Sequence, residues 1–187
     1  MTAAVAEKGY AHAAVADVIS GAGVSRKSFY EHFANKEGCF LAAYDAGADM
    51  VLEAIGAALA AEDDPVAGTV AGVAAYLRAL AENPDLARTF LIEALGAGPA
   101  ALDRRAAVHA RFAELLRDAH GAARIVMPEL AAVAPSRLRA CVGAVDELVL
   151  EHVRVAGPQE LESLTPTVLD VVALLLGHDT LLRPKGR

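Results

Sequence analysis

Thirteen residues, Gly21–Phe33, constrain this chain most: they read GAGVSRKSFYEHF and lead at once into Ala34-Asn35-Lys36-Glu37. Gly21 and Gly23 flank Ala22, and glycine takes the left-handed backbone that a tight turn between helices requires. Val24 is an apolar plug. Ser25 stands where a helix N-cap belongs, its hydroxyl able to accept from a free backbone amide. Phe29 and Phe33 are four apart and share a helical face, which leaves Arg26, Lys27, Tyr30 and His32 for the others. The stretch therefore predicts a steep turn followed by a short helix with a cationic and phenolic outer surface. That is the helix-turn-helix geometry suited to the DNA major groove.

Helices are expected throughout. Ala and Leu dominate a chain that is 55% hydrophobic, 5% aromatic and free of Trp, and both are strong helix formers. Ahead of the turn, a short first helix is predicted over Ala3–Glu7, and a second carries Val15, Val18 and Ile19 up to Gly21. After it, Asn35 caps a long helix on which Phe40, Tyr44, Ala48, Val51, Ile55 and Leu59 recur at helical spacing. Asp64 and Pro65 mark a fresh N-terminus, with Val66, Val70, Val73, Leu77 and Leu80 as its stripe. Asn83-Pro84 breaks that helix, and Gly96 to Pro99 closes the next. A further helix carries Leu102, Ala106, His109, Phe112 and Leu116, and Gly121 is expected to kink or end it. Two Val- and Leu-rich helices finish the pattern, the second stopping at Gly177. Their stripes suit either an oligomer face or ordinary core. The whole is an all-α chain: a helix-turn-helix head over residues 1–35 and a helical body over 36–187.

Charge argues against a protein that coats nucleic acid. The formal net charge is −7, and residues 1–37 hold four Lys or Arg against four Asp or Glu. Any DNA contact must come from a local patch at Arg26, Lys27 and Lys36. Two cysteines, Cys39 and Cys141, are read as buried thiols rather than a disulfide or metal cluster. No signal peptide and no membrane-length apolar run is read, so a cytoplasmic protein with no membrane partner is expected. No cofactor and no metal site is expected. The chain holds no GxSxG elbow, no phosphate-binding loop, no paired-histidine helix and no CxxC, and Gly96-Ala97-Gly98 follows no strand, so an enzyme is not expected.

The ordered run Glu7-Lys8-Gly9-Tyr10, Val15-Ala16-Asp17-Val18, Ala22-Gly23-Val24-Ser25, Phe29-Tyr30-Glu31-His32-Phe33 and Asn35-Lys36-Glu37 resembles the DNA-binding domain of the tetracycline-repressor (TetR) family. The resemblance implies a transcriptional regulator that acts as a homodimer, usually a repressor, and leaves operator DNA when a small hydrophobic effector enters its body. On this sequence it implies that Ser25 caps the recognition helix and touches phosphate. Arg26, Lys27 and Ser28 face base edges or nearby phosphates, Tyr30 and His32 bond the DNA backbone, and Lys36 reaches a phosphate. Arg26 is the candidate for guanine, whose O6 and N7 suit its two-pronged donor. The resemblance also implies a dimer through the last two helices, assigned to Leu138, Val142, Val145, Val149, His152, Val168, Val172 and Leu175.

Three departures from the family pattern bear on grip. The first helix reads as shortened, Ala13 and Ala14 stand where hydroxyl residues commonly cap the second helix, and Ala16 stands where a basic residue is frequent. Each lost phosphate contact lowers the salt dependence of binding by about one unit of slope. The alternative expectation is a dimeric small-molecule-binding protein of the same fold that has lost operator binding. For the effector cavity the residues expected to point inward are Tyr76, Phe90, Glu93, His109, Phe112 and His120. Of these, Glu93 is also suited to pair with an arginine, and His109 shares a face with Phe112 and Leu116.

Overall fold

Three helices of the chain begin on the side chains that the sequence marks as caps. In a computed structural model describing residues 1–178, Ser25 Oγ accepts from Ser28 N at 3.0 Å, Asn35 Oδ1 from Gly38 N at 2.8 Å, and Asp64 Oδ1 from Val66 N at 3.0 Å. Each satisfies one of the amides that a helix start leaves free. They open α3 (Arg26–His32), α4 (Lys36–Ala60) and α5 (Pro65–Glu82). Before them lie α1 (Thr2–Lys8) and α2 (Val15–Ala22). The second helix runs one residue past the expected stop at Gly21, and Gly23 supplies the left-handed cap at φ 64°. Its N-terminus lacks a hydroxyl cap. Asp17 Oδ2 reaches back instead and accepts from Ala14 N at 2.8 Å.

Beyond α5, a short α6 (Pro84–Arg88) passes into a π-helical turn, Thr89–Glu93, and then α7 (Ala94–Gly96). Then come α8 (Pro99–Val126), α9 (Pro135–Val155), a 3₁₀ segment (Pro158–Leu164) and α10 (Thr165–Leu176). Gly121 does not end α8, which continues to Val126. A single glycine costs a helix only about 1 kcal/mol, too little to break one held by packing on both sides. Among the described residues there is no strand, and no helix is long and apolar enough to cross a membrane.

The core falls into two clusters. Val18, Phe29 and Cys39, flanked by Val15, Ile19 and Phe33, hold the helix-turn-helix together. The second cluster fills the body around Phe40, Tyr44, Val51, Leu77, Leu91, Val149 and Val168, and it takes in Val5 of α1 and Ala13. The head is thus seated on the body by its first helix. At Gly47, α4 passes close to α6 and the π turn: a Cβ there would lie 2.3 Å from Leu86 Cδ1 and 2.6 Å from Phe90 Cε2. Phe90 stacks on Tyr44 with ring centroids 4.1 Å apart. Salt bridges Arg104–Asp45 and Arg111–Asp49 tie α8 to α4, which carries the head.

Candidate functional site

The outward face of α3 is set by what its inward face buries. Phe29 is 4% exposed and meets Phe33 at 5.5 Å between ring centroids. That anchors the helix with Ser25, Arg26, Lys27, Tyr30 and His32 at the surface and Ser28 half-buried. The Arg26 guanidinium lies 5.6 Å from the centre of the Tyr30 ring, a cation–π contact that steadies both on one surface. Lys27 is 3.9 Å from Glu31, with both side chains well exposed. Such pairs are worth little and yield readily to a phosphate.

Lys36 is placed differently from its expected role. Its ammonium donates to the Tyr10 carbonyl at 2.7 Å and sits 4.3 Å from the centre of the Tyr10 ring. The same turn receives a second contact from the body. Tyr10 N donates to Glu93 Oε2 at 2.8 Å, and Glu93 Oε1 lies 3.7 Å from Arg88 Nε. The Tyr10 ring meets Phe40 edge-on at 4.7 Å. The Gly9-Tyr10 turn of the head is therefore held by Lys36 from α4 and by Glu93 from the π turn, two parts of the body.

Within the body, α4, α5, α8, α9 and α10 line a partly open pocket with a cavity volume of about 130 Å³. Its wall is mostly apolar, formed by residues such as Ile55, Leu59, Val73, Leu116, Val142 and Val145. Tyr76, His109 and Phe112 line it, as do Thr69, Cys141 and Asp146. Tyr76 and Phe112 meet edge to face at 6.0 Å. His109 Nε2 lies 3.3 Å from Asp146 Oδ1, and Asp146 also pairs with Arg105. Burial raises the Tyr76 hydroxyl well above the usual phenol range, and the Asp146 carboxylate adds to the effect. Burial likewise pushes the Cys141 thiol up to about 11, so it remains an unreactive thiol near neutrality.

Three of the residues expected in this cavity lie elsewhere. Phe90 is stacked on Tyr44 beside Gly47. Glu93 is turned toward the head, bonded to Tyr10. His120 is buried and bonded at both ring nitrogens, Nδ1 to His178 Nε2 at 2.9 Å and Nε2 to the Ala131 carbonyl at 3.0 Å. Each has a partner within the chain that satisfies it. Arg105 and Asp146 escaped the sequence reading, although both left a signal. Arg105 falls four residues before His109 on the apolar face of α8, and Asp146 follows directly on Val145 in the stripe of α9.

Four of the residues assigned to a dimer face require correction, because the chain itself covers them. Leu138, Val149, Val168 and Val172 are at most 4% exposed within the single chain. Val142, Val145, Val168 and Val172 line the cavity, while Leu175 packs against the same core. His152 is half-buried, with a buried Nε2 that has no partner among the described residues. An apolar stripe reports burial but not which surface covers it, and here the chain covers its own. The opposite faces carry Ala140, Glu147 and Glu151 on α9, and Thr167, Asp170 and Leu174 on α10, all exposed. Leu174 is 70% exposed.

A helix-turn-helix head clamped onto a helical body with an apolar cavity defines the class of this protein. Residues 2–43 match the sequence model of the bacterial regulatory proteins of the tetR family. The match spans the helix-turn-helix head and the start of α4. In fold it is similar to the fatty acid degradation regulator FadR from Bacillus halodurans, at 22% identity over 94% of each chain with a TM-score of 0.80. FadR from Bacillus subtilis, solved in complex with stearoyl-CoA, is 17% identical over 95% of this chain and 94% of its own, with a TM-score of 0.78. A TetR transcriptional regulator from Chloroflexus aurantiacus is 26% identical over 96% of this chain and 90% of its own, with a TM-score of 0.66. No curated protein matches the chain in sequence.

Proposed function

We propose that this protein is a homodimeric repressor whose hold on operator DNA is released when a small hydrophobic molecule enters the body. The observation that carries this reading is the exposed surface of α3, on which Arg26, Lys27, Tyr30 and His32 are presented around a helix start capped by Ser25. Polar and cationic groups on phosphates fix the register of such a helix, and one or two side chains suffice to read bases. Arg26 is assigned to a guanine. Ser25, Lys27, Ser28, Tyr30 and His32 are assigned to phosphates or nearby base edges. Lys36 takes a phosphate only in part, since its ammonium already serves the Tyr10 carbonyl.

The dimer is assigned to the last two helices, on their outer rather than their inner faces. Ala140, Ala144 and the neighbouring Gly143 allow close approach of a second helix, and Leu174 offers apolar area. The body is the effector domain, and the family being one of regulators, no catalytic role is proposed.

Binding to the DNA immediately upstream of the protein's own coding region, compared with a random duplex over a range of salt, tests the reading. A preference for the upstream DNA with a steep salt dependence is expected. Tyr30→Phe and Arg26→Ala are expected to weaken it without altering the dimer. Equal binding to both duplexes at moderate salt would sink the operator assignment. A specific observation favours the second reading, a binding protein of the same fold without an operator. Lys8 is bound to Asp17 at 2.6 Å and Lys36 to Tyr10, which leaves Arg26 and Lys27 as the cations of the head that are ready for phosphate or base.

A further inference from the structure

The cavity itself restricts what can enter, in size and in charge, and this inference rests on the effector-binding body proposed above. An apolar void of roughly 150 Å³ holds one benzene ring, and the cavity here is about 130 Å³. A stearoyl chain carries three times the carbon of such a ring, so the ligand seen in the Bacillus subtilis neighbour would have to extend beyond this space through the open side of the pocket. The wall on the α4–α5 side is closely packed: a Cβ on Gly72 would stand 3.4 Å from both Ile55 and Leu59.

Charge is balanced at the polar end. Asp146 is matched by Arg105, and His109 stands 3.3 Å from the same carboxylate. A ligand carboxylate or phosphate would add an unmatched negative charge beside Asp146. A ligand ammonium would do the reverse beside Arg105. Either costs much more in a largely apolar pocket than in water. The Tyr76 hydroxyl is left over. It belongs to a lining residue, and none of the side-chain hydrogen bonds among the described residues uses it. A hydroxyl both donates and accepts, so it matches a ligand hydroxyl or carbonyl equally well.

We infer that the cavity takes an uncharged molecule about the size of one six-membered ring, bearing a single hydroxyl or carbonyl that bonds to Tyr76. The ring lies against Phe112 and the aliphatic wall.

Thermal unfolding and calorimetric titration of the full chain with phenol, benzoate, benzylammonium and stearoyl-CoA test this. Phenol is expected to raise the melting temperature with the logarithm of its concentration once the site is saturated, as any ligand selective for the folded state does. Tyr76→Phe, which keeps the shape, is expected to weaken phenol binding about tenfold. Ala119→Phe, which fills the cavity, is expected to abolish it. Benzoate, benzylammonium or stearoyl-CoA binding as tightly as phenol would overturn the inference, and so would the absence of any phenol effect in wild-type protein. Release of DNA is read separately. Phenol binding that leaves DNA affinity unchanged supports the ligand class while removing the proposed effector role, whereas stearoyl-CoA that releases DNA without competition from phenol removes the ligand class alone.

Discussion

Glu93 of the body accepts a hydrogen bond from the backbone amide of Tyr10 in the head, 83 positions earlier in the chain. The contact is partly buried, and breaking it strands an amide with no other partner. Loss of one side of such a bond costs about 1–3 kcal/mol. Glu93→Ala is expected to speed hydrogen exchange at Tyr10 while protection in α8 and α9 stays unchanged. A uniform rise across the body would instead show general destabilisation.

Lys36 is expected to behave unlike Arg26. Removal of the Arg26 side chain affects DNA alone, because it is exposed and contacts only Tyr30. Lys36→Ala removes a hydrogen bond and a cation–π contact within the fold, worth about 1–2 kcal/mol together. Denaturant unfolding should report a lower midpoint for Lys36→Ala and an unchanged one for Arg26→Ala.

Gly47→Ala is expected to destabilise by about 1–3 kcal/mol, the usual cost of overpacking. The added methyl would stand 2.3 Å from Leu86 and 2.6 Å from Phe90. Shortening the opposing side chain in Gly47→Ala/Leu86→Ala should recover less than the full loss, because Phe90 still crowds the methyl. Complete recovery in a double-mutant cycle would show that Leu86 alone sets the spacing.

Stability should fall on mild acidification through His178. Burial, with His120 beside it, holds the His178 imidazole below its ordinary range. The unfolded chain then binds a proton more readily than the folded one. The contribution is therefore fully present above the ordinary histidine pKa of about 6.5 and is lost as pH drops below it. Melting temperatures between pH 7.5 and pH 5 are expected to decline more in wild type than in His178→Gln. Parallel declines would place the sensitivity elsewhere.

Leu174→Arg is expected to convert the proposed dimer into folded monomers, seen by sedimentation with helical content retained. Val149→Arg is expected to unfold the chain, since Val149 is fully buried within one protomer. A Leu174→Arg protein that remains dimeric would refute the outer-face assignment.

What could be read ahead of the structure was mostly local. Ser25, Asn35 and Asp64 announce helix starts because a cap acts within three residues of itself. The spacing of Phe29 and Phe33 fixes which side of α3 is buried for the same reason. Contacts such as Tyr10–Glu93 join distant parts of the chain, and no local pattern encodes them. The apolar stripes of α9 and α10 misled for a different reason. Val142 and Val172 mark an interior, and only the tertiary arrangement says that this interior belongs to one chain. Asp146 was legible as an acid within such a stripe, but its partner Arg105 lies 41 positions earlier.

The π turn at Thr89–Glu93 has a mechanical consequence. A turn of that pitch holds one residue more than the regular helix requires, and rewinding to regular pitch rotates everything beyond it by about 100°. Glu93 is the last residue of that turn, so rewinding swings its carboxylate away from Tyr10 rather than lengthening the bond by degrees. Such a rewinding would break the tether between body and head outright instead of stretching it.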